Sequence, residues 1–245
     1  MNAPAISLSI VSHLHGPMLP DLLRDVRQLA TKRPLGEIEL ILTINVPEDT
    51  GFLSSIPDMP TRVIYNRSPK GFGANHNFAF SLANGQYFVV ANPDIRLPSL
   101  DVDKLLEPFE RPTVGAVAPL VLSSDGIIQD SARRFPTIWR LAERAATGRR
   151  EPDYVARPTP TQVDWLAGMF VCIRASAWRS VGGFDERFFM YFEDVDLCRR
   201  LKLANWEILY IGTTSVIHNA QRASHRNLSH LRWHLRSAIR YFLEM

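Results

Sequence analysis

Tyr87-Phe88-Val89-Val90-Ala91-Asn92-Pro93-Asp94 is an apolar run that passes directly into Asn-Pro-Asp. An unbroken apolar stretch of this length suits a strand covered on both faces. Proline ends it, and two oxygen-bearing side chains are left at its carboxyl end, where open α/β sheets bind ligands. A plain turn is the bland reading of the same residues, since Asn, Pro and Asp are turn formers. The surroundings bear on the choice. Upstream, Ile6, Leu8 and Ile10 alternate as a strand, and Leu22, Leu23, Val26 and Leu29 follow helical spacing until Pro34. Ile38 to Ile44 is a second, nearly continuous apolar strand, and Arg62 to Tyr65 a short third. A helix carrying Ala74, Phe78, Ala79 and Leu82 leads back to Tyr87. Strand and helix alternate throughout, which predicts a mostly parallel sheet flanked by helices, an α/β fold.

Downstream, helical spacing returns over Leu100 to Phe109, and Val114 to Val121 is another buried strand. The alternation then weakens. Short strands are expected within Ile127 to Phe135, a short helix over Ile138 to Ala146, and a surface segment from Thr147 to Thr161, rich in Arg, Gly and Pro. Val163 to Trp165 and Met169 to Arg174 flank Ala167-Gly168, and Ala175 to Val181 is a short helix. Trp206 to Ile211 and Thr214 to His218 are expected as two brief strands.

The chain has 245 residues, 46% hydrophobic and 22% charged, which fits a globular protein of one large domain. A formal charge of +3 does not by itself point to nucleic acid. Cys172 and Cys198 make no disulfide framework and no metal-ligand spacing, so both are expected as buried thiols. No signal peptide or membrane span is read, and the expected compartment is cytoplasmic.

Three further stretches carry chemistry. Gly182-Gly183-Phe184-Asp185-Glu186-Arg187-Phe188-Phe189-Met190-Tyr191-Phe192 gives a turn and an aromatic wall, after which Glu193, Asp194 and Asp196 arrive as a helix begins. Carboxylates against an apolar wall suggest a site. An acidic first turn, with Asp196 paired to Arg200, is the alternative. Asn66 to Asn77 is a polar loop with Gly71 and Gly73 before a helix, suited to an anionic or polar ligand or to a plain connection. His218 closes an apolar strand, where it is either hydrogen-bonded structure or a ligand that completes a divalent site with Asp94.

Asn92-Pro93-Asp94, Gly71-Phe72-Gly73-Ala74-Asn75-His76-Asn77, Asp164-Trp165-Leu166-Ala167-Gly168, the Gly182 to Phe189 run and Tyr191 to Leu197 together resemble the family 2 glycosyltransferases, in their bacterial rhamnosyltransferase-like branch. The resemblance spans nearly the whole chain. It implies one GT-A domain over 1–245, with a nucleotide-sugar half at 1–120 and an acceptor half at 121–245. It implies an inverting transfer from a nucleotide-diphosphate sugar, with dTDP-rhamnose as the expected donor, to a saccharide or lipid-linked saccharide in surface-glycan assembly, helped by Mg or Mn. Residue by residue, it implies metal binding by Asp94, Asn92 and His218. Asp194 becomes the base for the acceptor hydroxyl, with Glu193 beside it as an acceptor contact. Trp165 and Gly168 shape the sugar and acceptor pocket, and Asn45, Asn66, Gly71 and Asn77 fall on the donor side. Arg133 and Arg134, in the loop before Phe135-Pro136, are read either as donor-side groups that stabilise the leaving diphosphate or as surface residues. One departure is that Leu42-Thr43-Ile44-Asn45-Val46-Pro47 offers Asn45 where the family usually has an acid that holds the donor's base or ribose. A non-catalytic GT-A-like binding module, or a subunit of a larger synthase, is the alternative from another class.

The last helix bears Leu228, Leu231, Leu235, Ile239 and Phe242 at helical spacing, with Arg222, Arg226, Arg232, Arg236, Arg240, His225, His230 and His234 around it. Packing of that apolar stripe on the core is the preferred expectation. A peripheral contact with an anionic membrane is the second.

Overall fold

The computed structural model describes residues 5–34, 36–55, 58–140, 147–148, 152–219 and 228–244. Its first half follows the predicted alternation: β1 (Ile6–Ser12), α1 (Leu19–Thr31), β2 (Ile38–Ile44), β3 (Thr61–Tyr65), α2 (Phe72–Ser81) and β4 (Tyr87–Ala91). These strands lie parallel, with Ile6 opposite both Ile38 and Tyr87. Helix α1 buries Leu19, Leu22, Leu23 and Val26, one stripe at helical spacing.

The chain continues through β5 (Ile95–Arg96), α3 (Val102–Leu106), β6 (Val114–Leu122), β7 (Ala132–Arg133), β8 (Thr161–Gln162), β9 (Trp165–Leu166) and β10 (Phe170–Arg174). It ends with α4 (Ala175–Val181), α5 (Glu193–Leu203), β11 (Glu207–His218) and α6 (Leu228–Leu243), the helices being numbered over the described residues. The large sheet has the order β3-β2-β1-β4-β10-β6-β11-β5, with β8 beside β11, while β7 and β9 form a separate pair. Strand β10 runs antiparallel between β4 and β6, and β6 and β11 are again parallel. Successive residues enter the cores on opposite faces: Leu40, Leu42, Val89 and Cys172 on one, Ile41, Val90, Val171 and Ile173 on the other. Both cysteines are buried and free, as expected.

Two expectations change. The strands expected at Trp206 to Ile211 and Thr214 to His218 are one strand, whose register against β6 shifts between Ile211 and Ser215. At that irregularity the Gly212 N–H bonds Arg157 O at 3.0 Å, and a Cβ on Gly212 would lie 2.6 Å from the same oxygen.

Helix α6 packs Phe242 of its apolar stripe against the core but leaves the middle of that stripe uncovered. Leu231, Leu235 and Ile239 are 67%, 60% and 52% exposed. The opposite face, with Ser237, Tyr241 and Trp233, meets Phe189 to Phe192, and that ring contact outcompetes the aliphatic stripe. Residues 141–146 of the expected short helix, residues 149–151 of the expected surface segment, and Arg222, His225 and Arg226 lie outside the described residues. Among the described residues, no helix is long and apolar enough to cross a membrane.

Candidate active site

Strand β4 delivers Asn92, Pro93 and Asp94 to its carboxyl end, and β11 delivers His218 beside them. The Asn219 N–H bonds Asp94 O at 3.0 Å, and His218 Nε2 lies 3.3 Å from Asp94 Oδ2. The turn after Asp94 is fixed from α1. There the buried Asp25 accepts from Arg96 Nε at 2.7 Å, Arg96 Nη2 at 3.0 Å and the Leu97 N–H at 2.8 Å.

Gln129, which sequence reasoning missed, reads both ends of His218. Its Nε2 donates to His218 O at 3.0 Å and its Oε1 faces Nδ1 at 2.7 Å. With the amide oriented by the carbonyl, Oε1 must accept from Nδ1–H, which leaves Nε2 as the ring atom that faces Asp94. A carboxylate oxygen and a ring nitrogen 3.3 Å apart are held together by positive charge between them, supplied by a proton or a cation. Asp94 Oδ1 is buried without a hydrogen-bond partner. One imidazole and one carboxylate, the latter with an orphaned oxygen, fit a hard divalent cation that keeps its other positions for water and phosphate. No cluster of three or more such ligands occurs among the described residues, so the protein would supply few of the bonds. His15, at the end of β1, is also close; burial lowers its pKa, and the Asp94 and Glu48 carboxylates partly offset that. Asn92 gives its N–H to Met169 O at 2.9 Å.

Helix α5 carries the second group. The Asp194 Oδ2 accepts from the Gly168 N–H at 3.0 Å and its Oδ1 from the Val195 N–H at 2.9 Å. Burial raises the Asp194 carboxyl above its ordinary value, against the pull of those N–H groups and of Arg133. Burial and then the Asp194 charge push Glu193 well above its ordinary value, and Glu193 Oε2 has no partner. Of the two, Asp194 is better held as a carboxylate, and Glu193 is the one that keeps a proton. Asp196 instead pairs with Arg200 at 2.7 Å, the structural role expected for it.

The backbone reaches α5 through a strained entry. Tyr191 and Phe192 both adopt left-handed conformations, with φ of 71° and 66°, at a cost of about 1–3 kcal/mol each. Helix α6 holds them: Tyr191 Oη lies 2.8 Å from His230 Nδ1, Ser237 Oγ bonds Met190 O at 2.9 Å, and the Phe192 ring packs on His234 and Tyr241.

Gly168 and Met169 join the two groups. The Gly168 N–H donates to Asp194 and the Met169 C=O accepts from Asn92, so the end of β4 and the start of α5 share a two-residue bridge. A Cβ on Gly168 would sit 3.3 Å from the Phe72 ring. Trp165 donates its Nε1 proton to Arg134 O at 3.0 Å, and the Arg133 guanidinium lies 5.4 Å above the Trp165 ring while pairing with Asp130.

The remaining donor-side residues form a different cluster. Buried Asn45 donates to Lys70 O at 3.0 Å and contacts His13 Nδ1 at 3.0 Å, while its Oδ1 accepts from Asn66 Nδ2 at 2.7 Å and the Lys70 N–H at 2.9 Å. That uses the whole bonding capacity of the amide. Asn66 also bonds Asn75 at 2.6 Å, so Asn45, Asn66 and Asn75 brace the loop before α2. Gly71 is approached by the chain itself, since a Cβ there would lie 2.6 Å from Phe189 O. Asn77 stands apart, bonded to both the N–H and the C=O of Phe184 and to Glu186.

Comparison with known proteins identifies the family and the fold. A profile described as "Glycosyltransferase like family 2" matches residues 4–234. The chain is 32% identical to the N-acetylglucosaminyl-diphospho-decaprenol L-rhamnosyltransferase of Mycobacterium tuberculosis, over 93% of this chain and 80% of that protein. It is 33% identical to the rhamnosyltransferase WbbL of Escherichia coli, over 70% and 69%. Among solved structures, GalNAc-T7 with UDP, GalNAc and Mn2+ matches at a TM-score of 0.65 and 16% identity, over 89% of this chain and 44% of that one. The mannosyltransferase PcManGT of Pyrobaculum calidifontis, in complex with GDP-Man and Mn2+, matches at 0.63 and 17%, over 98% and 65%. The fold is that of the GT-A glycosyltransferases, and the chain belongs to the glycosyltransferase-like family 2.

Proposed function

We propose that this glycosyltransferase moves rhamnose from dTDP-rhamnose to a saccharide carried on a lipid diphosphate, with inversion at the anomeric carbon, in the assembly of a bacterial surface glycan. The sugar and the lipid-linked acceptor are supported by the names of the mycobacterial and E. coli relatives. The observation that carries the chemistry is Asp194, a half-buried carboxylate whose basicity is raised by desolvation and which two N–H groups hold in a fixed orientation. A group of that kind takes the proton of the acceptor hydroxyl as its oxygen bonds the anomeric carbon. The bond from that carbon to the donor diphosphate breaks on the opposite face, and the electron pair leaves with the diphosphate. Glu193, kept protonated, is a hydrogen-bond donor to an acceptor oxygen. Arg133 stands over Trp165, where its charge favours both the Asp194 carboxylate and an anionic donor.

Asp94 and His218 would hold Mg or Mn, and a cation there supplies charge neutralisation for the departing diphosphate. Asn45 and Asn66 act on the donor through the shape of the 66–71 loop, since the Asn45 amide is already used. A lipid-linked acceptor together with a nucleotide-sugar donor supports a reaction at the cytoplasmic face of the inner membrane.

Asp194→Asn tests the assignment. Transfer, or hydrolysis of dTDP-rhamnose, is expected to fall about 10²–10⁴-fold while donor binding by thermal shift persists. Undiminished turnover in the variant would remove Asp194 as base. Donor binding by the wild type with neither hydrolysis nor transfer would make the chain a binding module.

A further inference from the structure

The outer face of α6 is an apolar feature that the site leaves unused. Leu231, Leu235, Ile239 and Leu243 recur at three- and four-residue spacing and are 67%, 60%, 52% and 80% exposed. Arg232 and Arg236, both exposed, share that outer side, and no Asp or Glu occurs between Leu228 and Leu243. Arg240 turns inward toward Glu244, at 3.4 Å. The inner face is already engaged: Ser237 and Tyr241 are buried, and Trp233 packs on Phe189.

We propose that this outer face lies on an anionic lipid bilayer, with the leucines and isoleucine at the acyl boundary and the two guanidinium groups at the headgroups. A helix with an apolar stripe beside cationic side chains and no acids is built for that interface. The arginine stems cover apolar surface while their charged ends reach phosphate. A second copy of the chain is the poorer occupant. Self-pairing would bury Arg232 and Arg236 near their own equivalents, and the helix offers no carboxylate between Leu228 and Leu243 to compensate. The position of α6 gives the contact a purpose. Its inner face clamps Met190 to Phe192, the segment that enters α5 at Glu193 and Asp194. A bilayer under α6 therefore brings the acceptor side of the site to the surface in which a lipid-linked acceptor is anchored. That consequence rests on the proposed transferase reaction, whereas vesicle binding itself does not.

Co-sedimentation with phosphatidylglycerol/phosphatidylcholine vesicles, and with phosphatidylcholine vesicles alone, tests the surface. The wild type is expected in the anionic pellet and mostly in the supernatant of the neutral sample, with binding that weakens as salt rises. Leu235→Glu/Ile239→Glu should lower binding about tenfold or more. Arg232→Ala/Arg236→Ala should abolish the preference for anionic vesicles. Both variants should keep the far-UV circular dichroism and the donor hydrolysis of the wild type, since none of these side chains touches the site. Wild type that stays in the supernatant with anionic vesicles overturns the proposal. So does sedimentation equilibrium showing a dimer that Leu235→Glu/Ile239→Glu dissociates, without vesicle binding. Vesicle binding by a protein that neither hydrolyses nor transfers any nucleotide sugar leaves the surface standing and removes the transferase reaction instead.

Discussion

Gln129→Leu separates orientation of His218, proposed to hold the metal, from ligation itself. In the wild type, two bonds of 3.0 and 2.7 Å from one amide fix both the backbone and the ring of His218. Each such bond contributes about 0.5–1.5 kcal/mol, so losing both costs about 1–3 kcal/mol of orientation. A tenfold change in affinity is about 1.4 kcal/mol, which puts the expected loss of Mn affinity at about ten- to a hundredfold, the usual range for a partner that orients a ligand. Leucine has nearly the volume of glutamine, so the pocket stays filled. Titration of Mn2+ by electron paramagnetic resonance, with dTDP present and without any turnover, reads the affinity directly. Gln129→Glu keeps an oxygen for Nδ1–H and should retain much more of it. If Gln129→Leu binds Mn within about twofold of the wild type while Asp94→Asn binds none, His218 is not held by Gln129 in the way the amide geometry implies.

Two other perturbations follow from the site. Burial raises the Glu193 pKa above its unfolded value, so its contribution to stability is fully present below the ordinary carboxylate range and is lost as pH rises through the folded value. Glu193→Gln, neutral throughout, should therefore raise the melting temperature relative to wild type by an amount that grows as pH rises above the ordinary carboxylate range and levels off above the folded value, and a difference that is constant or shrinks with pH would contradict the buried, proton-holding Glu193. Gly71→Ala would set a Cβ 2.6 Å from the Phe189 carbonyl oxygen, and urea unfolding should show a loss of about 1–3 kcal/mol; a neutral result would mean that the 189–192 segment yields freely.

Much of the framework was legible from residue pattern. The apolar runs of β1, β2, β4 and β6 and the glycine pair after α4, with φ of 75° and 73°, stand where the sequence places them. So do the carboxylates at the start of α5 and Asp94 at the end of β4. These features are local, and a chain segment carries its own periodicity and turn chemistry. Direction and partnership are not local. The run at Met169 to Arg174 reads equally well as a parallel or an antiparallel strand, and only its neighbours β4 and β6 make it antiparallel. Gln129 and His218 meet across 89 residues. The spacing of the α6 leucines announces an amphipathic helix but not which side the protein covers, and the aromatic segment at Phe189 to Phe192 took the other side. The Asn45 amide likewise looked available to a ligand until Lys70, His13 and Asn66 filled it.

Insertion of β10 between β4 and β6 also bears on how the molecule is made. The parallel unit β3-β2-β1-β4 is complete in sequence at Ala91, yet the outer edge of β4 pairs only with Phe170 to Arg174. Synthesis from the N-terminus therefore leaves the outer-edge backbone groups of Phe88-Val89-Val90-Ala91 without a strand partner until that distant stretch has emerged from the ribosome. Such long-range closure slows folding and lengthens the life of an adhesive edge. Nascent chains halted before Arg174 are the form of this protein most in need of a chaperone, and those released beyond it are the first able to seal the sheet.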